Sequence, residues 1–198
     1  MKSLPFLTAL FALVIGSVGC ALTTDRIDVN YTAQTYAARI PGAEKVKVKV
    51  TVSDARAVRD KVSAKKNGYG MEMAPIVAGN DVADTLAKAL ETELASRGFT
   101  TASGPVEVNV ELDKFWNDFK IGFWAGSSTA ELVMNAQVKK PDGTIVYTKV
   151  VTGEGAVPSL QVMTGDNAKI ALDAALNDAV AKLVGDTAFI RALLGAAA

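Results

Sequence analysis

Three carboxylates recur at short intervals in the stretch PVEVNVELDKFW. Glu107, Glu111 and Asp113 would share one face of a β-strand, at about 7 Å for each step of two residues. Pairs of carboxylates carry out the acid–base chemistry of glycoside hydrolysis, so a carboxylate-dependent cell-wall hydrolase is one hypothesis. The alternation of these residues with valine explains the pattern equally well as a solvated sheet face. We therefore predict no catalytic residue and no enzymatic activity.

The composition excludes most other catalytic and metal-binding sites. The chain of 198 residues has no histidine and one cysteine, so it cannot form a Ser-His-Asp or Cys-His centre, a four-ligand structural zinc site or an internal disulfide. We expect no metal and no cofactor. The 21 basic and 21 acidic residues balance without the basic stripe of a nucleic-acid-binding protein, so we expect no nucleic-acid partner.

The N-terminus has the pattern of an export signal. Lys2 precedes the almost wholly apolar residues 4–15, which match a secretory h-region in length and are too few to span a membrane. Small residues follow them. We therefore predict a signal peptide over residues 1–19.

The single cysteine, Cys20, ends this signal, and two outcomes are open. In the first, SVGC resembles a bacterial lipobox, although serine stands where leucine is usual, and Cys20 becomes the site of lipidation and the membrane anchor. Ala21 after the cysteine then favours the outer membrane, on its periplasmic face. In the second, signal peptidase cuts after Ala21, at the small-x-small site GCA, and releases a soluble periplasmic protein. We expect the first.

The remaining chain divides into a tether and one domain. Residues 20–44 are polar and lack sustained periodicity, so they are predicted to form the lipidated cysteine and a flexible tether, and residues 45–198 a globular domain. Alternating patterns predict strands over 45–52 and 106–112, and a hairpin of 130–138 and 144–152 around a Pro-Asp-Gly turn. A short strand is expected near 72–77.

Two main helices complete the predicted domain. The first covers 81–97, with Asn80 or Asp81 as its cap and leucines at i, i+4 spacing. The second follows Asp166 as a cap, and Asp186 is predicted to cap a short last helix. The order β-α-β-β-β-α predicts an α+β fold, a single two-layer domain with a mainly antiparallel four-stranded sheet packed by the two main helices.

Aromatic residues cluster in FWNDFKIGFWAGSS, which the pattern places between two strands. If exposed, they would suit a protein partner or the membrane interface, and alternatively they extend the strands over the core. The candidate interface residues are Phe115, Trp116, Phe119, Phe123 and Trp124.

The order of these motifs resembles the YajG-like family of small bacterial lipoproteins. The similarity extends over roughly 1–195 and is carried by the signal with its cysteine, the polar stretch, and the segments ASRGF, GPVEVNVEL and VTGEGAV. The resemblance implies a location and a fold, and it implies no catalytic residues.

Together these observations favour a non-enzymatic outer-membrane lipoprotein that faces the periplasm. It would be held by its N-terminal lipid anchor and would bind an envelope protein or another envelope component. An accessory lipoprotein of an envelope transport machine is the second hypothesis, and the hydrolase is the third.

Overall fold

The computed structural model describes residues 23–101, 103–122 and 125–197, so the predictions for Cys20, Phe123 and Trp124 lie outside the described residues. A 3-10 turn, Ala43–Lys45, precedes the second strand. In chain order the strands and helices are β1 (Asp25–Ile27), β2 (Lys47–Asp54), β3 (Ser63–Lys66), β4 (Glu72–Ala78), α1 (Val82–Ser96), β5 (Thr100–Thr101), β6 (Val106–Lys120), β7 (Gly126–Lys139), β8 (Ile145–Leu160), α2 (Gly165–Val184) and α3 (Thr187–Ala196).

The predicted fold, an α+β domain with a mainly antiparallel four-stranded sheet, is wrong. The described residues form a mixed α/β structure with two sheets, a three-stranded one in the order β1-β4-β3 and a five-stranded one in the order β5-β2-β6-β7-β8, which curls into a half-barrel. β2 is parallel to β6 because α1 carries the chain back across the sheet between them, as a βαβ crossover does. Only β6, β7 and β8 form the predicted antiparallel meander.

The core lies between one face of the five-stranded sheet and the helices. The alternating residues Val106, Val108, Val110 and Leu112 of β6 are buried, as the period-two pattern predicts. Leu86, Leu90 and Leu94 of α1 form its buried stripe. α2 is buried along small residues and leucines, and it contacts β6, β7 and β8. Among the described residues, no helix is long and apolar enough to cross a membrane.

Side chains cap the helices at their N-termini. The carboxylate of Asp81 accepts a hydrogen bond from Asp84 N at 3.0 Å, and that of Asp186 accepts one from Ala188 N at 2.7 Å, so both predicted caps are confirmed. The predicted cap Asp166 is wrong. It lies in the first turn of α2, and the cap is Thr164.

A β-bulge at Asp113 reverses which residues of β6 face the core. Leu112 pairs with Met134 and Lys114 with the adjacent Val133, so Asp113 is an extra residue on β6. Such an insertion shifts the alternation of side chains by one position. Even-numbered residues therefore point inward before the bulge, and odd-numbered residues point inward after it.

The chain packs on the domain well before residue 45. β1 pairs in parallel with β4, and the amide side chain of Asn80 bonds both the N–H and the C=O of Val29, at 2.9 and 2.8 Å. Further on, Asn30 N donates to Asp173 of α2 at 2.9 Å. Residues 25–32 are thus bound to the segment before α1 and to α2 itself, which shortens the flexible tether predicted for 20–44. Isolated polar residues make these bonds, and they leave no periodic pattern in the sequence.

Two glycines let α2 lie directly on β8. A Cβ at Gly153 would stand 2.2 Å from the carbonyl oxygen of Ala175, and one at Gly155 would stand 2.0 Å from that of Ala171. Only glycine permits so close an approach of strand and helix backbones. The close packing of β8 against α2 therefore explains the two glycines of GEG in the VTGEGAV segment.

Candidate functional site

One face of the five-stranded sheet is left to solvent. Within the described residues the three helices pack against the opposite face, and the residues alternating with the core point away from it. We call this surface the open face. On β2, β6 and β7 it carries mainly amides, hydroxyls and one carboxylate around a shallow depression of about 250 Å³, lined by Thr51, Ser53, Asn109, Glu111, Asn135 and Gln137.

A second, larger depression of about 490 Å³ surrounds Trp116 on the same face. Trp116 of β6 pairs with Glu131 of β7, which in turn pairs with Glu154 of β8, so the three side chains form a row across the strands. Lys114, Asp118, Lys120 and Thr129 complete its wall. We call this depression the Trp116 trough.

Charged groups hold the Trp116 trough in place. Lys114 Nζ lies 2.5 Å from Glu131 Oε2, and Lys66 pairs with Asp118. Lys61 Nζ lies 5.5 Å from the ring centroid of Trp116, within the range of a cation–π contact. Lys61 also pairs with Glu72 at 2.5 Å. Lys61 therefore lies over one face of the indole, and the Trp116 side chain is partly exposed to solvent.

The aromatic cluster predicted from the sequence does not form one surface. Phe115 and Phe119 are each 2% exposed and belong to the core, so neither can contact a partner or a membrane. The bulge at Asp113 turns both of them inward and leaves Trp116 between them facing outward. Of the three candidate interface residues that the structure describes, Trp116 is the accessible one.

The three candidate carboxylates lie on the open face, in contact with water. Glu111 and Asp113 are exposed, and Glu107 is partly exposed and accepts a hydrogen bond from Asn109 Nδ2 at 3.3 Å. A general acid needs a dry environment that raises its pKa. Among the described residues, no group of three or more Asp, Glu or Cys side chains converges as metal ligands would.

A buried polar cluster joins the two sheets, and sequence reasoning missed it. Asn117, Ser63 and Ser128 are all fully buried. Asn117 Nδ2 donates to Ser63 Oγ at 3.0 Å, and Ser128 Oγ donates to Asn117 Oδ1 at 2.5 Å. Every member is hydrogen-bonded within the cluster, so its role is structural. The only available signal was an asparagine at an inward position of β6, which required knowledge of the bulge.

Comparison with a solved structure of TM-score above 0.5 supports the fold. The chain is similar to a Xanthomonas campestris protein of the DUF330 family, with a TM-score of 0.57 and 17% identity over 84% of this chain and 95% of that one. It is also similar to a minor lipoprotein from Acinetobacter baumannii, with a TM-score of 0.47 and 9% identity over 74% of this chain and 93% of that one. No curated protein sequence matches the chain.

The family comparison covers most of the chain. Residues 34–193 match the model of the Lipoprotein_16 family, described as uncharacterized lipoprotein. This match confirms the lipoprotein class expected from the sequence, while the narrower YajG-like resemblance stays a prediction. The chain belongs to the Lipoprotein_16 family of uncharacterized lipoproteins.

Proposed function

We propose that this protein is a non-enzymatic lipoprotein of the outer membrane that faces the periplasm and binds another envelope protein. Its signal, residues 1–19, would be removed, and Cys20 would carry the lipid. Several acyl chains make a firm attachment, since each buried methylene contributes about 0.8 kcal/mol. Membership of a lipoprotein family and the lipobox-like SVGC segment support this assignment.

The Trp116 trough is the observation that supports binding. Interfaces are commonly built from a central aromatic residue inside a ring of polar and charged groups. Trp116 has this setting, because Lys114, Asp118, Glu131 and Glu154 surround it on three neighbouring strands. Both signs of charge stand on the rim, which suits a protein surface of mixed charge better than a uniformly anionic polymer.

A binding role also fits the position of the trough. It is built on the long strands β6, β7 and β8, whose other face is fixed by α2, so the side chains are held without a mobile loop. Rigid presentation of this kind reduces the entropy lost on binding. The exposed carboxylates of the open face need no catalytic role in this account.

Site-specific photocrosslinking in cells tests this function. A photoreactive amino acid at Trp116 is expected to capture a discrete protein product. The matched control is Val150, which is 61% exposed on β8 and points to the same open face beside Asn135. A product at position 116 that is absent at 150 supports the proposal, and its identification as a transporter subunit would select the transport-machine hypothesis.

Absence of any product at position 116 would contradict a protein partner at the trough. Equal capture of the same proteins at 116 and 150 would also contradict it, because that result indicates random collision.

A further inference from the structure

The start of the described chain is held in a defined place. Lys65 Nζ donates to the carbonyl oxygen of Thr23 at 3.0 Å and to Asp25 Oδ1 at 2.7 Å. The other oxygen of Asp25 accepts a hydrogen bond from Gly165 N at 2.8 Å, at the beginning of α2. Lys65 is buried and Asp25 is half-buried, so this contact is partly shielded from water. Thr23 therefore leaves the domain at a fixed point beside the N-terminus of α2.

Covalent geometry ties this point to Cys20. Three residue steps separate Thr23 from Cys20, and a chain spans at most about 3.6 Å per residue. Whatever the conformation of the link, the two Cα atoms are within about 11 Å of each other. A lipid on Cys20 would hold Thr23 in or just outside the headgroup layer, which is about 5–8 Å thick on each side of the hydrocarbon core.

Exposed apolar side chains lie beside Thr23. Val162, which is 62% exposed, lines the same groove as Thr23 and Lys65. Ile121, which is 43% exposed, lines an adjoining groove together with Val162. The two residues come from the turns that follow β6 and β8, and these turns meet at one end of the half-barrel because β6, β7 and β8 are antiparallel neighbours.

We propose that this end of the domain, defined by Thr23, Ile121 and Val162, rests on the lipid surface into which Cys20 is anchored. The proposal depends on the proposed lipidation of Cys20. It adds a second contact with the membrane, because insertion of exposed aliphatic side chains at the boundary between headgroups and acyl chains is energetically favourable. A short link and apolar turns at the same end make a lipid surface the occupant that the geometry favours.

One consequence is a fixed direction for the molecule. β7 runs from Gly126 at the lipid-facing end to Lys139 at the other end, a length of about 44 Å at 3.4 Å per residue. Ile145, which is 51% exposed, pairs with Lys139 and so lies at the far end. Its exposure makes it a matched control for Val162 and Ile121.

A fluorescence experiment on the acylated full-length mature protein tests the orientation. Because acylation uses the only cysteine, a second cysteine introduced as Val162→Cys, Ile121→Cys or Ile145→Cys can carry an environment-sensitive probe. Each labelled protein is reconstituted into vesicles of phosphatidylethanolamine and phosphatidylglycerol and recovered by flotation. Probes at 162 and 121 are expected to emit at shorter wavelength and to be shielded from aqueous iodide, whereas the probe at 145 stays fully quenchable.

Two results would overturn the proposal, and they are distinguishable. If the protein floats with the vesicles but probes at 162 and 121 are quenched as readily as the probe at 145, the anchor exists and the docking fails. If the protein carries no acyl group and does not float, the proposed function fails and the docking fails with it.

Discussion

Glu93→Gln is expected to destabilise the domain strongly, because Glu93 is the centre of a buried polar cluster. Its Oε2 lies 2.5 Å from Nη1 of Arg97, the C-cap residue of α1 four positions further on. Its Oε1 accepts hydrogen bonds from the Tyr31 hydroxyl at 2.7 Å and from Gln34 N at 2.9 Å. Glu93 and Arg97 are both buried, so water cannot replace a lost partner.

The magnitude follows from what a glutamine would leave unpaired. An amide presents an acceptor oxygen on one side and an NH₂ donor group on the other, so whichever way it turns, its NH₂ group faces either Arg97 or the donors of Tyr31 and Gln34. The guanidinium also loses its counter-charge. Breaking a buried ion pair from one side costs about 3–5 kcal/mol, which is the expected loss in the free energy of unfolding at pH 7.

The same change is expected to alter the acid sensitivity of the protein. Burial acts to raise the pKa of Glu93, but hydrogen bonds from Gln34, Tyr31 and Arg97 outweigh it and hold that pKa below its usual range. A carboxylate with a lowered pKa in the folded state stabilises above its unfolded pKa, about 4.3, and the contribution is lost as the pH falls through the folded value. The difference in free energy of unfolding between wild type and Glu93→Gln should therefore decrease below about pH 4.

Urea unfolding followed by circular dichroism measures these differences. Lys88→Ala is the matched control, because Lys88 pairs with Asp84 on the same helix at the same i, i+4 spacing but with side chains that are 71% and 55% exposed. It is expected to leave stability unchanged within error, as exposed pairs usually do. A Glu93→Gln variant no less stable than Lys88→Ala would refute the reasoning.

Two further predictions concern packing and capping. Gly155→Ala should lower the free energy of unfolding by at least about 2 kcal/mol, because its Cβ would meet the carbonyl oxygen of Ala171. Gly195→Ala in α3, where nothing lies within 4 Å of the added Cβ, should raise the free energy of unfolding by about 0.5 kcal/mol. Thermal melts of both variants check this prediction, and equal effects would contradict it. Hydrogen bonds from Lys149 and the Ala188 N–H lower the pKa of Asp186 to about 2. Asp186→Asn should therefore lower the free energy of unfolding by about 1 kcal/mol at pH 7, a value that follows from the lowered pKa and is reduced for solvent exposure. This loss should shrink as the pH falls below about 3.9. A loss that does not depend on pH would contradict this assignment.

Elements with a strong local signal could be predicted from the sequence. The strand over Val46, Val48, Val50 and Val52, the leucine stripe of α1 and the hairpin turn at Pro141 each repeat their pattern within a few residues, and the structure confirms them. The caps Asp81 and Asp186 were predictable for the same reason, since a cap acts within one turn of its own helix.

Pairing between distant segments could not be predicted in this way. β1 has three residues and β5 has two, which is too short for any alternation, and β3 buries Lys65 through an ion pair made across 40 positions of the chain. The parallel pairing of β2 with β6 depends on how α1 crosses the sheet. A strand–helix–strand order is compatible with it but does not require it.

The candidate surface also combines elements that could be predicted from the sequence with an arrangement that could not. Its strands could be predicted from their alternation. The single extra residue Asp113 then changed the direction of Phe115, Trp116 and Phe119, and a bulge leaves no reliable trace in a hydrophobicity pattern. The trough therefore became visible only with the register of β6 against β7.

Metabolic labelling of Cys20 tests the central claim, a lipid-anchored envelope protein, most directly. Cells expressing wild type or Cys20→Ala are fed a clickable palmitate analogue, and the mature N-terminus is identified by mass spectrometry. The account predicts a labelled wild-type protein that begins at Cys20 and fractionates with the outer membrane, and no label on Cys20→Ala. An unlabelled wild-type protein that begins after Ala21 and is recovered as a soluble periplasmic protein would contradict it.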